Sequence, residues 1–303
     1  PTAQVIHSTT FRILRNADIA IREDLAHDLL LQMENMIDVR KTAACVRLEV
    51  SSNSSHQLVQ MLQKFFAVDE LNTYRSPGPL DLSAWFSLTG LGGHEDLNYP
   101  AWPPQASPVI DLSESLFETI ARRDVLLVHP YESFEPVIRL LEEAASDPDV
   151  LAIKQTLYRT SQQSPIVAAL VEAAERGKYV TVIVELKARF DEARNIEWAR
   201  DMERAGVQVL YGVKGLKTHA KACMIVRREP QGIRRYLHFG TGNYNEQTAR
   251  FYCDISYFTC NEQLGSDVAG IFNAITGYTE PPRLEHIAMA PLTLRERLLE
   301  EIE

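Results

Sequence analysis

Between residues 125 and 211 the sequence switches repeatedly between two periods, and few architectures accommodate that. Short apolar, β-branched runs at 125–129, 150–158, 179–186 and 207–211 alternate with helical patterns at 134–145, 166–175 and 192–205. This alternation predicts an α/β layer built on a largely parallel sheet. Ligands of such sheets collect beyond the carboxyl ends of the strands. A further helix is expected over 261–275, capped near Asn261 and packed on the sheet.

The strand ends carry the informative residues. The second strand closes in Tyr158-Arg159, the third runs into Lys187-Ala188-Arg189, and the fourth leads through Gly212 and Gly215 to Lys217-Thr218-His219-Ala220-Lys221. Arg159 and Arg189 stand at corresponding ends of successive strands, where two guanidinium groups can hold one anion bidentately. His219 and Lys221 are two apart at the start of an apolar run, 222–226, that alternates like a strand. Residues so spaced point to one face. After a basic hairpin a second strand ends in Gly240-Thr241-Gly242-Asn243. Glycines let backbone amides approach phosphate oxygens, and the Thr241 and Asn243 side chains add to them. The imidazole can act as a nucleophile and the lysine as a positive point charge. A His-x-Lys triplet alone reads more simply as a core histidine beside a surface lysine, and the trailing Gly-Thr-Gly-Asn turns the reading toward phosphate chemistry. His238 reads as a core histidine of its strand, while Glu246 and Asp254 are carboxylates available to orient His219.

Before the alternation, the chain reads as a small α+β unit: a strand at 11–15, a helix at 24–36, a strand at 43–50, a helix through Phe66 capped within 51–54, and a short helix at 80–88. Pro77-Gly78-Pro79 breaks the chain, and a Gly- and Pro-rich loop from 90 to 108 is expected to separate domains 1–108 and 109–303. The first unit clusters few polar groups, so its expected role is structural or interfacial. A net charge of −10 speaks against a general nucleic-acid or anionic-membrane binder, so a phosphate site must be a local basic pocket. No apolar run approaches the roughly eighteen residues of a membrane span, and no stretch reads as a signal peptide. The four cysteines form no Cys-x-x-Cys pair and fit reduced packing residues of a cytosolic protein. A first residue other than Met and an unfinished helical pattern over 292–303 suit a piece of a longer protein.

His-x-Lys followed by Gly-Thr-Gly-Asn resembles the phospholipase D superfamily. Its phosphodiesterases carry Asp five residues after the Lys, and that position is Val226 here, which favours a branch that transfers phosphoryl groups. The blocks TLYRTSQQSPIV, VTVIVELKARFDEARNIEWA, AGVQVLYGVKGLKTHAKA and HFGTGNYNEQTARFYCD, with FRILRNAD and PYESFEPV before them, resemble the polyphosphate kinases of the first family. The resemblance implies a phospholipase D-like α/β catalytic domain preceded by a small α+β middle domain. It assigns phosphorylation to His219, the partner lysine to Lys221, a nucleotide contact to Tyr252, and a magnesium-phosphate site to Arg159 and Arg189. An arginine cannot itself ligate Mg²⁺, so these two are phosphate holders beside the metal. ATP/ADP and inorganic polyphosphate are the implied substrates, and a homodimer or homotetramer the implied assembly, in the cytoplasm or peripherally at the inner membrane. The family also implies a second histidine and an adenine-binding helical domain outside this chain, whose seven other histidines lack a Lys two residues on. Two rival readings stay open: a phospholipase D-like phosphodiesterase or nuclease, and a non-catalytic polyanion-binding module.

Overall fold

The computed structural model of the chain describes residues 4–16, 29–100, 102–161, 163–185, 192–213, 215–277, 279 and 282–303. Arg189 and Lys214 lie outside the described residues, as does 24–28 of the expected first helix. The chain forms two compact units, Pro1–Trp102 and Pro103–Glu303.

In the first unit β1 (Phe11–Arg15), β2 (Cys45–Ser51) and β3 (Thr73–Ser76) form a three-stranded sheet in that order. β1 and β2 are antiparallel, joined through α1 (Leu29–Thr42); β2 and β3 are parallel. A parallel pair needs a crossover, and α2 (His56–Phe66) supplies it. The cap of α2 is Ser55, one residue beyond the stretch expected, its hydroxyl accepting a hydrogen bond from the Leu58 amide. Val59 and Leu62 of this helix close on Leu48 and Val50 of β2. Burying each such side chain contributes about 1.5–3 kcal/mol. The expected short helix near 80–88 is a 3₁₀ helix, Leu82–Gly90.

In the second unit a seven-stranded sheet runs in the order β4-β10-β9-β8-β5-β6-β7. Its strands are β4 (Val125–His129), β5 (Val150–Leu157), β6 (Tyr179–Val184), β7 (Gln208–Tyr211), β8 (Lys221–Glu229), β9 (Gly232–Gly240) and β10 (Asp254–Thr259). The expectation of a largely parallel sheet is corrected: only β5–β6 and β6–β7 are parallel, and the other four pairs are antiparallel. The cause is local. A two-residue connection joins β8 to β9, with Glu229 opposite Gly232 and Gly232 at φ 130°, and such a hairpin makes antiparallel neighbours only.

Helices cover both faces. α3 (Leu116–Arg122), α4 (Glu135–Ser146), α5 (Pro165–Glu175) and α6 (Glu192–Arg204) are joined by α7 (Glu262–Gly277), and α8 (Leu294–Ile302) follows, exposed from its second residue on. Asn261 precedes α7, its Oδ1 accepting from the amides of Gln263 and Leu264, and the helix buries Val268 and Phe272 against Ile183, Met224 and Leu237. On α3, Phe117 meets Tyr236 of β9 edge to face at 4.8 Å. Among the described residues no helix is long and apolar enough to cross a membrane.

This topology gathers one edge. β5, β6 and β7 end there together, β8 starts there because it is antiparallel to β5, β9 ends there at Gly240, and β10 starts there at Asp254.

Candidate functional site

Lys221 is the first residue of β8, and His219 stands on the segment just before it. The two therefore do not share a strand face, as the sequence had suggested. Hydrogen bonding joins them instead: the Lys221 ammonium lies 3.2 Å from Nδ1 of His219 and donates to its carbonyl oxygen at 2.5 Å. An ammonium only donates, so Nδ1 is the acceptor. Thr156 of β5 fixes both neighbours of Lys221, its hydroxyl donating to Ala220 O at 2.8 Å and accepting from Ala222 N at 3.0 Å.

Tyr158, just past the end of β5, stands edge to face with the His219 ring at 5.2 Å, and the Lys221 and Arg159 cations lie 5.5 and 5.6 Å from the same aromatic ring. Partial desolvation, the Lys221 charge and the Arg159 charge together hold the His219 imidazole below its ordinary pKa. This favours the neutral form of the ring, while His219 keeps its exposure to solvent. Burial also lowers the pKa of Lys221, with the Asp254 carboxylate acting in the opposite direction.

The Gly-Thr-Gly-Asn turn closes on Asp254. Thr241 Oγ1 donates to Asp254 Oδ1 at 2.9 Å and accepts from Ile255 N at 2.9 Å. A Cβ on Gly242 would stand 2.4 Å from Asp254 Oδ2, so this glycine admits the carboxylate. Asn243 Oδ1 is buried with no hydrogen-bond partner. Glu246 accepts from Ser161 Oγ at 3.0 Å, tying this turn to the loop after β5. Tyr252 is 63% exposed beyond the short 3₁₀ helix Thr248–Arg250. His238 is buried, with Nδ1 2.8 Å from Tyr244 Oη. Burial, helped by His129, pushes its pKa down to about 3.

His219, Lys221, Arg159 and Asp254 are thereby brought together, and Arg189 lies outside the described residues. Sequence reasoning passed over Thr156, Tyr158 and Glu185. Glu185 is 1% exposed and accepts from Thr218 N at 2.8 Å, which anchors the segment that delivers His219. Its signal was available: a carboxylate inside an otherwise apolar run must be hydrogen bonded once buried. Among the described residues no three His, Cys, Asp or Glu side chains converge as a metal cage. Asn243 Oδ1 and the Asp254 carboxylate are hard oxygen donors, suited to Mg²⁺ that keeps most of its ligands from water and phosphate.

Residues 115–281 match the family model for polyphosphate kinase C-terminal domain 1, and residues 1–88 match that for the polyphosphate kinase middle domain. A polyphosphate kinase of Rhodopirellula baltica is 60% identical over the whole chain, and one of Bacillus anthracis is 46% identical over 97% of it. The chain spans 36% and 42% of the length of these two curated relatives. The crystal structure of polyphosphate kinase from Porphyromonas gingivalis superposes with a TM-score of 0.73 at 33% identity, covering 86% of this chain and 40% of that one.

Proposed function

The chain belongs to the polyphosphate kinase family, and from that premise we propose that it transfers phosphoryl groups between ATP and inorganic polyphosphate through His219. In this reading 1–108 is the middle domain and 109–303 the first catalytic domain of the longer enzyme.

The observation that carries the reading is the Lys221 ammonium 3.2 Å from Nδ1 of an exposed His219, whose imidazole pKa is lowered by desolvation and by the Lys221 and Arg159 charges. The ring nitrogen of His219 that carries the lone pair attacks the γ-phosphorus of ATP in line, while the other ring nitrogen keeps its hydrogen. The N–P bond forms as the bond to the β-phosphate oxygen breaks, and ADP leaves. The terminal phosphate oxygen of a polyphosphate chain then attacks the phosphohistidine; the new P–O bond forms, the P–N bond breaks, and the chain is one phosphate longer. A phosphoramidate is high enough in energy for the sequence to run in both directions.

Arg159, Arg189 and Lys221 hold the charge on the equatorial oxygens, and Asn243 with its glycine turn faces the phosphates. Donor and acceptor are both polyanions and repel each other, so a cationic pocket is needed to bring them together. Mg²⁺, when bound, neutralises phosphate charge beside the arginines, with Asn243 and Asp254 as the oxygen donors for it. Tyr252, exposed near the turn, contacts the nucleotide. We read the whole protein as a cytoplasmic homo-oligomer with at most peripheral membrane contact.

The test is the reverse reaction. Supplied with Mg²⁺, ADP and long-chain polyphosphate, the enzyme is expected to form ATP and to leave phosphodiesters uncleaved. Diester hydrolysis without ATP formation would sink the reading.

A further inference from the structure

Parallel strands run out of partners at their ends, and the site sits where β5 and β6 do. The last ladder pair is Leu157 with Val184. One residue further on, the carbonyls of Tyr158 and Glu185 need donors from elsewhere. Both find the same one. Asn195, in the first turn of α6 and 0% exposed, donates from Nδ2 to Tyr158 O at 2.9 Å and to Glu185 O at 3.1 Å. Carbonyls only accept, so the amide nitrogen must face them, and its two hydrogens are matched by two acceptors.

Each carbonyl belongs to a different arm of the site. The Tyr158 carbonyl shares its peptide plane with the nitrogen of Arg159, and the Tyr158 ring stands 5.2 Å from that of His219. Glu185, through its carboxylate, accepts from Thr218 N, the residue before His219. One buried amide thus ties the end of β5, next to Arg159, to the residue that anchors the His219 segment. Resting on the reading above for the reaction itself, we propose that Asn195 is a positioning residue for phosphoryl transfer, clamping Arg159 and His219 into one geometry. Packing of α6 alone would need no donor at this place, only volume.

Asn195→Asp keeps the volume and, when ionised, cannot donate to either carbonyl; Asn195→Ala removes both. In each variant Arg159 is released from His219, so the imidazole pKa rises toward its ordinary value. That is read from the pH dependence of His219 modification by diethyl pyrocarbonate, followed by mass spectrometry. Label transfer from γ-labelled ATP or polyphosphate to His219, per folded molecule, is expected to fall on the order of a hundredfold, as for an ångström-scale misplacement. Asn195→Ser, which keeps one donor, is expected to fall between, and it is read in the same way if the aspartate variant does not fold. An unchanged His219 pKa and labelling rate in folded variants, with only a lower melting temperature, overturns the proposal. A wild-type protein that takes no label, yet whose His219 pKa moves in the variants, supports the clamp and counts against the preceding reading alone.

Discussion

The ammonium of Lys221 donates to both ends of His219, to Nδ1 at 3.2 Å and to the backbone oxygen at 2.5 Å. The ring is held neutral with a cation against it, and the pH dependence follows. The pKa of His219 is depressed by desolvation, then by Lys221 and Arg159, so the midpoint of its protonation lies below the ordinary value near 6.5. Phosphorylation of His219 should be flat across neutral pH and fall on the acid side of about 6.5 as the lone pair is lost. Lys221→Met should move that fall to higher pH and slow labelling by about a hundredfold, because a preorganised charge is removed.

Gly242→Ala puts a Cβ 2.4 Å from Asp254 Oδ2. The carboxylate must move and the Thr241 hydrogen bond breaks with it. A loss of about 1–3 kcal/mol in denaturant titration is expected, the range for overpacking, together with weaker labelling. Gly177→Ala is the contrast: φ is 84° there with open space around it, so about 1 kcal/mol of stability is lost and labelling is kept.

Thr156→Val keeps the shape of the side chain and removes the hydroxyl that bonds Ala220 O and Ala222 N on either side of Lys221. About 1–3 kcal/mol is expected from the unsatisfied groups. Slower labelling should accompany it, since the Lys221 backbone loses its two fixed neighbours.

His238 makes a prediction about stability alone. Its folded pKa, about 3, lies below the unfolded value near 6.5, so the unfolded chain takes up the proton first as pH falls. The favourable contribution is complete above about pH 6.5 and is lost progressively toward the folded pKa, up to roughly 5 kcal/mol in all. Urea titrations should show stability falling from pH 7.5 to 5. His238→Gln, which does not titrate, should flatten that slope.

Much of the fold was legible because its signals are local. The β-branched run at Tyr179–Val184 and the apolar stripe of α4 declare their periods without help from the rest of the chain. Sheet order was not legible, because the β8–β9 hairpin inserts antiparallel strands between β10 and β5, and that depends on contacts distant in sequence. Arg159, Lys221 and His219 were found from their places at strand ends, yet His219 lies off the strand, since β8 begins only at Lys221. The supports at Thr156, Tyr158 and Asn195 were missed because each acts through one hydrogen bond or ring contact that no period marks.

The most direct test is covalent labelling. The protein is incubated with Mg²⁺ and either γ-labelled ATP or labelled polyphosphate, beside His219→Ala. A label that is labile to acid, stable to alkali and absent from His219→Ala is the expected result, since a phosphoramidate on His219 has those properties. A label that persists in His219→Ala, or the absence of acid-labile label from both donors in the longer enzyme, would contradict the account.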